Sequence, residues 1–181
     1  GEIKPTIDRK DLKPQELAEM WESLGEENQD VDRLLWDMAA GRGDTVQYLA
    51  ARLIEAPEKP DVDIEALVEL LDSDRYSERE AAFKTMEGLG SRVEPQVREP
   101  SKNHPSVEVR TRLESLYQTW QSSAPTQADD LRHARAIEVL GRISTPAARD
   151  ALQRITEGPS SYVAKWHAGQ RLKEQGEQES R

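Results

Sequence analysis

Few side chains in this chain have chemical reach, and their spacing limits what they can do. Only three imidazoles occur, His104, His133 and His167. No His-x3-His or Glu-x-x-His spacing sets two metal ligands on one helix face. His104 precedes Pro105 in a polar loop and reads as exposed. His133 stands between Arg132 and Arg135 and reads as part of a charged face, while His167 follows Trp166 near the last helix. Asp61 with Asp63, and Asp72 with Asp74, are carboxylate pairs of the kind used for Ca²⁺ or for acid–base work. Each pair precedes a helix or sits between two, where an acid caps free N–H groups and favours the helix dipole. The alternating ligands, Gly and late Glu of a calcium loop are missing. There is no cysteine, no Gly-rich phosphate loop and no Gly-x-Ser-x-Gly elbow. The expectation is no catalytic residue, no metal and no cofactor.

Arginine is more informative. Arg79, Arg110 and Arg135 each fall early in a helix, beside small residues. Two readings stay open for this row. The row resembles that of HEAT-like repeats, and the resemblance implies that each Arg reaches an acid of the next repeat, with Asp74, Glu108 and Asp130 as candidates, forming a ladder along the stack. Alternatively the row lines a concave groove and grips an acidic or C-terminal peptide. Trp21, Trp36, Trp120 and Trp166 lie near apolar stripes and read as core, with Trp36 and Trp120, at helix ends, the candidates for a partner surface.

The elements that must position these residues are helical throughout. Lys13-Pro14 opens a helix whose Leu17, Met20, Trp21 and Leu24 form one stripe, ended by Gly25. Asp30 precedes a second, with Val31, Leu34, Leu35 and Met38 on one face. Asp44 is placed to cap a third, carrying Val46, Leu49, Ala50, Leu53 and Ile54. Ile64, Leu67, Val68 and Leu71 make the fourth. Ser77 and Glu80 read as a capping box for the fifth, with Ala82, Met86 and Leu89 inward. A short helix is expected around Pro95 to Glu99, then a loop from Pro100 to Pro105. Ser106 is placed to cap the next, with Val109, Leu113, Leu116, Tyr117 and Trp120 inward. Residues 122–127 read as a polar connection and the candidate internal joint. Leu131, Ala134, Ile137, Leu140 and Ile143 follow, then Thr145-Pro146 opens a helix with Ala148, Leu152 and Ile155 inside. Tyr162, Val163, Trp166, Gly169 and Leu172 close the series. No segment alternates with the period of a strand.

Composition agrees. Charged residues make up 33% of the 181 residues and the apolar set 35%, with one Phe, so the core must come from aliphatic residues and the Trp residues. The net charge of −10 is unevenly spread. Residues 1–90 hold 11 Lys and Arg against 23 Asp and Glu, a balance of −12; residues 91–181 hold 14 against 12, a balance of +2. An acidic half repels phosphate backbones, which disfavours nucleic acid as a partner. No run has the length of a membrane span. Gly1 reads as the scar of a cleaved tag on a fragment, which leaves the compartment open.

Ala82, Met86 and Leu89 recur as Ala136, Leu140 and Ile143, and Val107 to Leu116 is echoed by Val163 to Leu172. Such repetition suits stacked helix pairs, with a closed bundle as the other packing open to them. Asp74…Arg79-Glu-Ala-Ala with Leu89-Gly90, Val107-Glu-Val-Arg110, and Ile143-Ser-Thr-Pro-Ala147 with Leu152 resemble HEAT-like repeats, the last being similar to the phycobilisome-lyase type. The order Glu16-Leu17…Trp21, Leu67…Leu71-Asp-Ser-Asp-Arg-Tyr and Arg132…Arg135-Ala-Ile-Glu-Val-Leu resembles a helical domain that accompanies WD-repeat propellers in planctomycete proteins. The resemblance spans about Leu12 to Leu172. Gly141-Arg142 departs from it, standing where such repeats often carry a Glu, and no lyase motif accompanies it.

Together these readings predict an all-α chain, an α-α superhelix of about four to five HEAT-like hairpins. Residues 1–11 are expected as an arm, 12–172 as the repeat domain and 173–181 as a solvated tail. The resemblance implies a non-catalytic scaffold or interaction domain with a protein partner. A lyase-like or repair-like enzyme on the same architecture, or a plain spacer between domains, is the alternative. Head-to-tail pairing of copies through the two charged halves is compatible with the sequence, as is a monomer.

Overall fold

Apolar residues recurring every three to four positions leave this chain one way to bury them, as helix faces. The computed structural model describes residues 10–27 and 30–179, whose regular structure is helical with no strand among them. In chain order they form α1 (Pro14–Ser23), α2 (Val31–Ala39), α3 (Gly43–Leu53), α4 (Ile64–Leu70), α5 (Tyr76–Leu89), a 3-10 turn (Gly90–Val93), α6 (Glu94–Asn103), α7 (Val107–Gln121), α8 (Ala128–Ile143), α9 (Pro146–Glu157) and α10 (Tyr162–Glu179). No helix among the described residues is long and apolar enough to cross a membrane. Most of the arm expected over 1–11 lies outside the described residues; Lys10, at its edge, donates its N–H to the Ala40 carbonyl at 3.0 Å.

Several helix starts follow their capping chemistry. The Lys13 N–H donates to Glu16 Oε2 at 2.8 Å with Pro14 in the first turn of α1. Asp63 accepts from the Ala66 N–H at 3.1 Å, and Thr145 Oγ1 from Ala148 at 3.3 Å. Others differ. Asp44 sits inside the first turn of α3, which begins at Gly43. Ser77 lies inside α5 rather than capping it, because Ser73 organises the turn instead. The Ser73 hydroxyl accepts from the Arg75 N–H at 3.1 Å and donates to Glu78 Oε2 at 2.5 Å. Ser106 occupies the N-cap position of α7 with its side chain not engaged there; its N–H donates to His104 Nδ1 at 3.2 Å.

Two further differences lengthen helices. α6 runs on through Pro100 to Asn103, although proline removes a helical donor. Val97 is fully buried and Arg98 grips Glu94 one turn back, so tertiary anchoring carries the helix past the ring. α10 continues to Glu179, so the segment expected as a tail is helical over 173–179.

The apolar faces collect into two cores. One joins α1, α2 and α3 to α8, α9 and α10 through Leu24, Met38, Leu49, Leu53, Leu140, Leu152 and their neighbours. The other gathers α4 to α7 around Leu71, Met86, Leu113, Leu116 and Trp120. Ala134 of α8 and Val163 of α10 belong to this second core, so these two helices bridge both. Consecutive helices pack as hairpins in α4/α5, α6/α7 and α8/α9, while the first three helices return across the chain to α8 and α9.

Candidate functional site

The arginines divide by what they hold. Arg79 Nη1 donates to the Ser73 carbonyl at 2.6 Å, and Arg110 Nη1 donates to the carbonyl of His104, in each case six residues back, with a second bond from Arg110 to Pro105 at 3.1 Å. Both residues therefore close the loop that leads into their own helix. Arg79 Nε also lies 3.9 Å from Glu108 Oε1, across to α7. Asp74 is exposed in the turn. Arg135 does something else. Its Nη1 donates to the carbonyls of Leu24 at 2.9 Å and Glu26 at 2.7 Å, at the C-terminal end of α1. There a cation meets unsatisfied carbonyls and the negative pole of the helix dipole.

Two arginines without an expected role extend this clamp along α8. Arg132 Nε donates to the Trp21 carbonyl at 3.0 Å, 111 residues away, and its Nη2 reaches Glu22 at 3.0 Å. A Cβ at Gly25 would lie 2.9 Å from Arg132 Nη2, so the chain there passes too close for a side chain. Arg142 bonds Asp32 Oδ1 at 2.6 Å and Glu138 at 2.7 Å, with its guanidinium 4.6 Å over the Trp36 ring. The spacing of Arg132, Arg135 and Arg142 along one helix was the available signal; their partners are far away in sequence.

Asp130 is buried at 4% exposure and serves the junction between the cores rather than an arginine ladder. It accepts from the Ser91 N–H at 2.7 Å and from the Ser91 hydroxyl at 2.5 Å. Gly90, with φ +64°, brings the 3-10 turn onto this carboxylate; a Cβ there would meet Asp130 Oδ2 at 2.6 Å. Burial pushes the Asp130 pKa up, while its bonds from Ser91 pull it down. One turn on, His133 is not part of a charged face. Its Nδ1 lies 2.8 Å from Ser161 Oγ, and its ring is 6.0 Å from that of Trp21. Burial brings the imidazole down to about 4, so it is neutral at pH 7. Ser161 Oγ also accepts from the Ala164 N–H at 3.2 Å, capping α10. Ser161 thus links the start of α10 to the His133 ring. A cleft of about 250 Å³ opens here, among Trp21, Arg52, Asp130, Arg132 and His133. Within it Asp130 holds the 3-10 turn through Ser91, and Ser161, bonded to His133, caps α10.

A second cleft, of about 540 Å³, lies between α6, α7 and α10. Its wall is a run of rings. Tyr117 packs edge-on to Trp120 at 5.0 Å and to Tyr162 at 5.1 Å, and Tyr162 stacks on Trp166 at 6.5 Å with an interplanar angle of 16°. Trp120, expected as a surface candidate, is 2% exposed and belongs to the second core behind Tyr117 and Tyr162, while Trp166, expected as core, is half-buried in the wall. Below the rings His167 Nε2 donates to the Trp120 carbonyl at 3.2 Å, and burial lowers its pKa. Glu94 is buried and accepts from Arg98 Nε at 2.9 Å, Arg98 Nη2 at 2.7 Å and the Tyr117 hydroxyl at 3.1 Å. Burial raises the Tyr117 pKa, with the charge of Glu94 adding to it. Gln121 Nε2 donates to the Tyr162 hydroxyl at 2.8 Å. Lys102, Lys165 and Glu114 complete the rim.

Among the described residues no group of three or more His, Asp and Glu is placed to hold a metal ion. Comparison of the chain with protein-family models, with curated proteins and with solved structures finds no match.

Proposed function

We propose that this chain is a non-catalytic docking domain that takes a protein segment in the cleft between α6, α7 and α10. The observation that carries this reading is the wall of half-buried aromatic rings facing open space. Tyr and Trp supply large contact area at small entropy cost and recur as anchors in protein interfaces. Elsewhere the polar groups that look like chemistry are engaged in holding helices, as with Asp130 on Ser91 and His133 with Ser161. The HEAT-like superhelix belongs to the same proposal, supported by the α4/α5, α6/α7 and α8/α9 hairpins and by the like carbonyl contacts of Arg79 and Arg110.

The test uses the domain as bait in lysate of its source cells, alongside a Trp166→Ala bait of unchanged helical content. A stoichiometric protein retained by the native bait and lost from the variant supports docking in this cleft. A partner held equally by both baits places the docking surface elsewhere, and no partner on either bait favours a spacer.

A further inference from the structure

We infer that the occupant of the α6/α7/α10 cleft is an acidic peptide segment carrying an aromatic or large aliphatic side chain, an inference that rests on the docking reading. The argument turns on which charges in the cleft are already neutralised. Glu94 is buried and accepts a two-pronged bond from Arg98, so that pair presents almost no net charge to a ligand. The Tyr117 hydroxyl points its proton at the same carboxylate. What is left for a ligand is the ammonium groups of Lys102, from α6, and Lys165, from α10. Among the described residues neither has an ion-pair partner. Opposing them is one acid, Glu114.

Hydrogen-bonding capacity points the same way. The Tyr162 hydroxyl accepts from Gln121, which leaves its own proton to donate. An acceptor-rich group is thus met by two ammonium groups and a phenol, all beside the Tyr162–Trp166 stack. A carboxylate flanking an apolar side chain satisfies both halves of this surface at once. A cationic side chain would find the rings but would face Lys102 and Lys165, with Glu94 already committed to Arg98.

The test is fluorescence anisotropy of labelled short peptides titrated with the whole domain. One peptide is Glu- and Asp-rich around a central Phe, the second replaces each acid by Lys, and the third keeps the acids but replaces Phe by Gly. The acidic Phe peptide should bind, weaken with added salt, and bind better than either of the others. The Lys102→Glu/Lys165→Glu double variant, which changes only exposed or rim side chains, should bind it about tenfold more weakly while gaining affinity for the basic peptide. Equal or tighter binding of the basic peptide by the native domain overturns the acidic assignment. So does an unchanged affinity of the double variant for the acidic one. Should none of the peptides bind, the acidic assignment fails, and the docking reading is judged separately by whether a lysate partner still depends on Trp166.

Discussion

His133 shows how neighbours from other elements set the state of a titratable side chain. Its ring is packed by Trp21 and bonded to Ser161, and burial brings its pKa from 6.5 to about 4. Arg132 pushes it the same way and Asp129 opposes. Because the folded value lies below the unfolded one, the unfolded chain takes up the proton first as pH falls. This contribution to stability is complete above about pH 6.5 and is lost as pH drops towards about 4, amounting to about 1 kcal/mol between about pH 7 and pH 5.5. Asp130, raised by burial, has the opposite slope, so the readout is a difference between proteins. His133→Asn should melt with a flatter dependence on pH than the native chain over that interval. Parallel curves would contradict a neutral, buried His133. The sequence placed this histidine beside Arg132 and Arg135 and so suggested a solvated face. The neighbours that decide its state, Trp21 and Ser161, come from other elements, and no local pattern announces them.

Elements in this chain are legible where local chemistry decides them and obscure where a distant contact does. Asp63 and Thr145 cap their helices as their positions imply, and the apolar stripe of α7 is buried at Val109, Leu113, Leu116 and Trp120. Pro100 reads as a helix end, yet α6 passes through it because Val97 and Glu94 are anchored in the second core. In sequence Arg135 reads either as a rung between neighbouring helix pairs or as part of a peptide-gripping groove. It instead holds the far end of α1, together with Arg132 and, on α2, Arg142. Arg135→Ala should remove two charge-assisted bonds and cost about 1–2 kcal/mol, a fall of roughly 2–8 °C in melting temperature for a chain of this size. Amide exchange should rise in α1 more than in α5. An unchanged melting temperature would show that the apolar contacts of Leu17, Trp21 and Leu24 hold α1 without the clamp.

For the whole molecule, the all-helical class follows from periodicity alone, whereas the two-core arrangement does not. The apolar stripe of α1 says that it must be covered, but nothing in it names α8 as the cover. The aromatic cleft is similarly hidden, since Tyr117, Tyr162 and Trp166 come from two helices that are far apart in sequence. Only Tyr162 and Trp166, one turn apart, share a face that can be read locally. Charge was partly legible, because the cationic bias of residues 91–181 agrees with the Lys102 and Lys165 rim. The most direct measurement of the central claim is the footprint of the acidic Phe peptide on the amide and indole resonances of the isotopically labelled domain. Shifts should gather at Lys102, Tyr117, Tyr162, Lys165 and the Trp166 indole, with α2 and α4 silent. Shifts centred on any other surface, or none at saturating peptide, would contradict docking in this cleft.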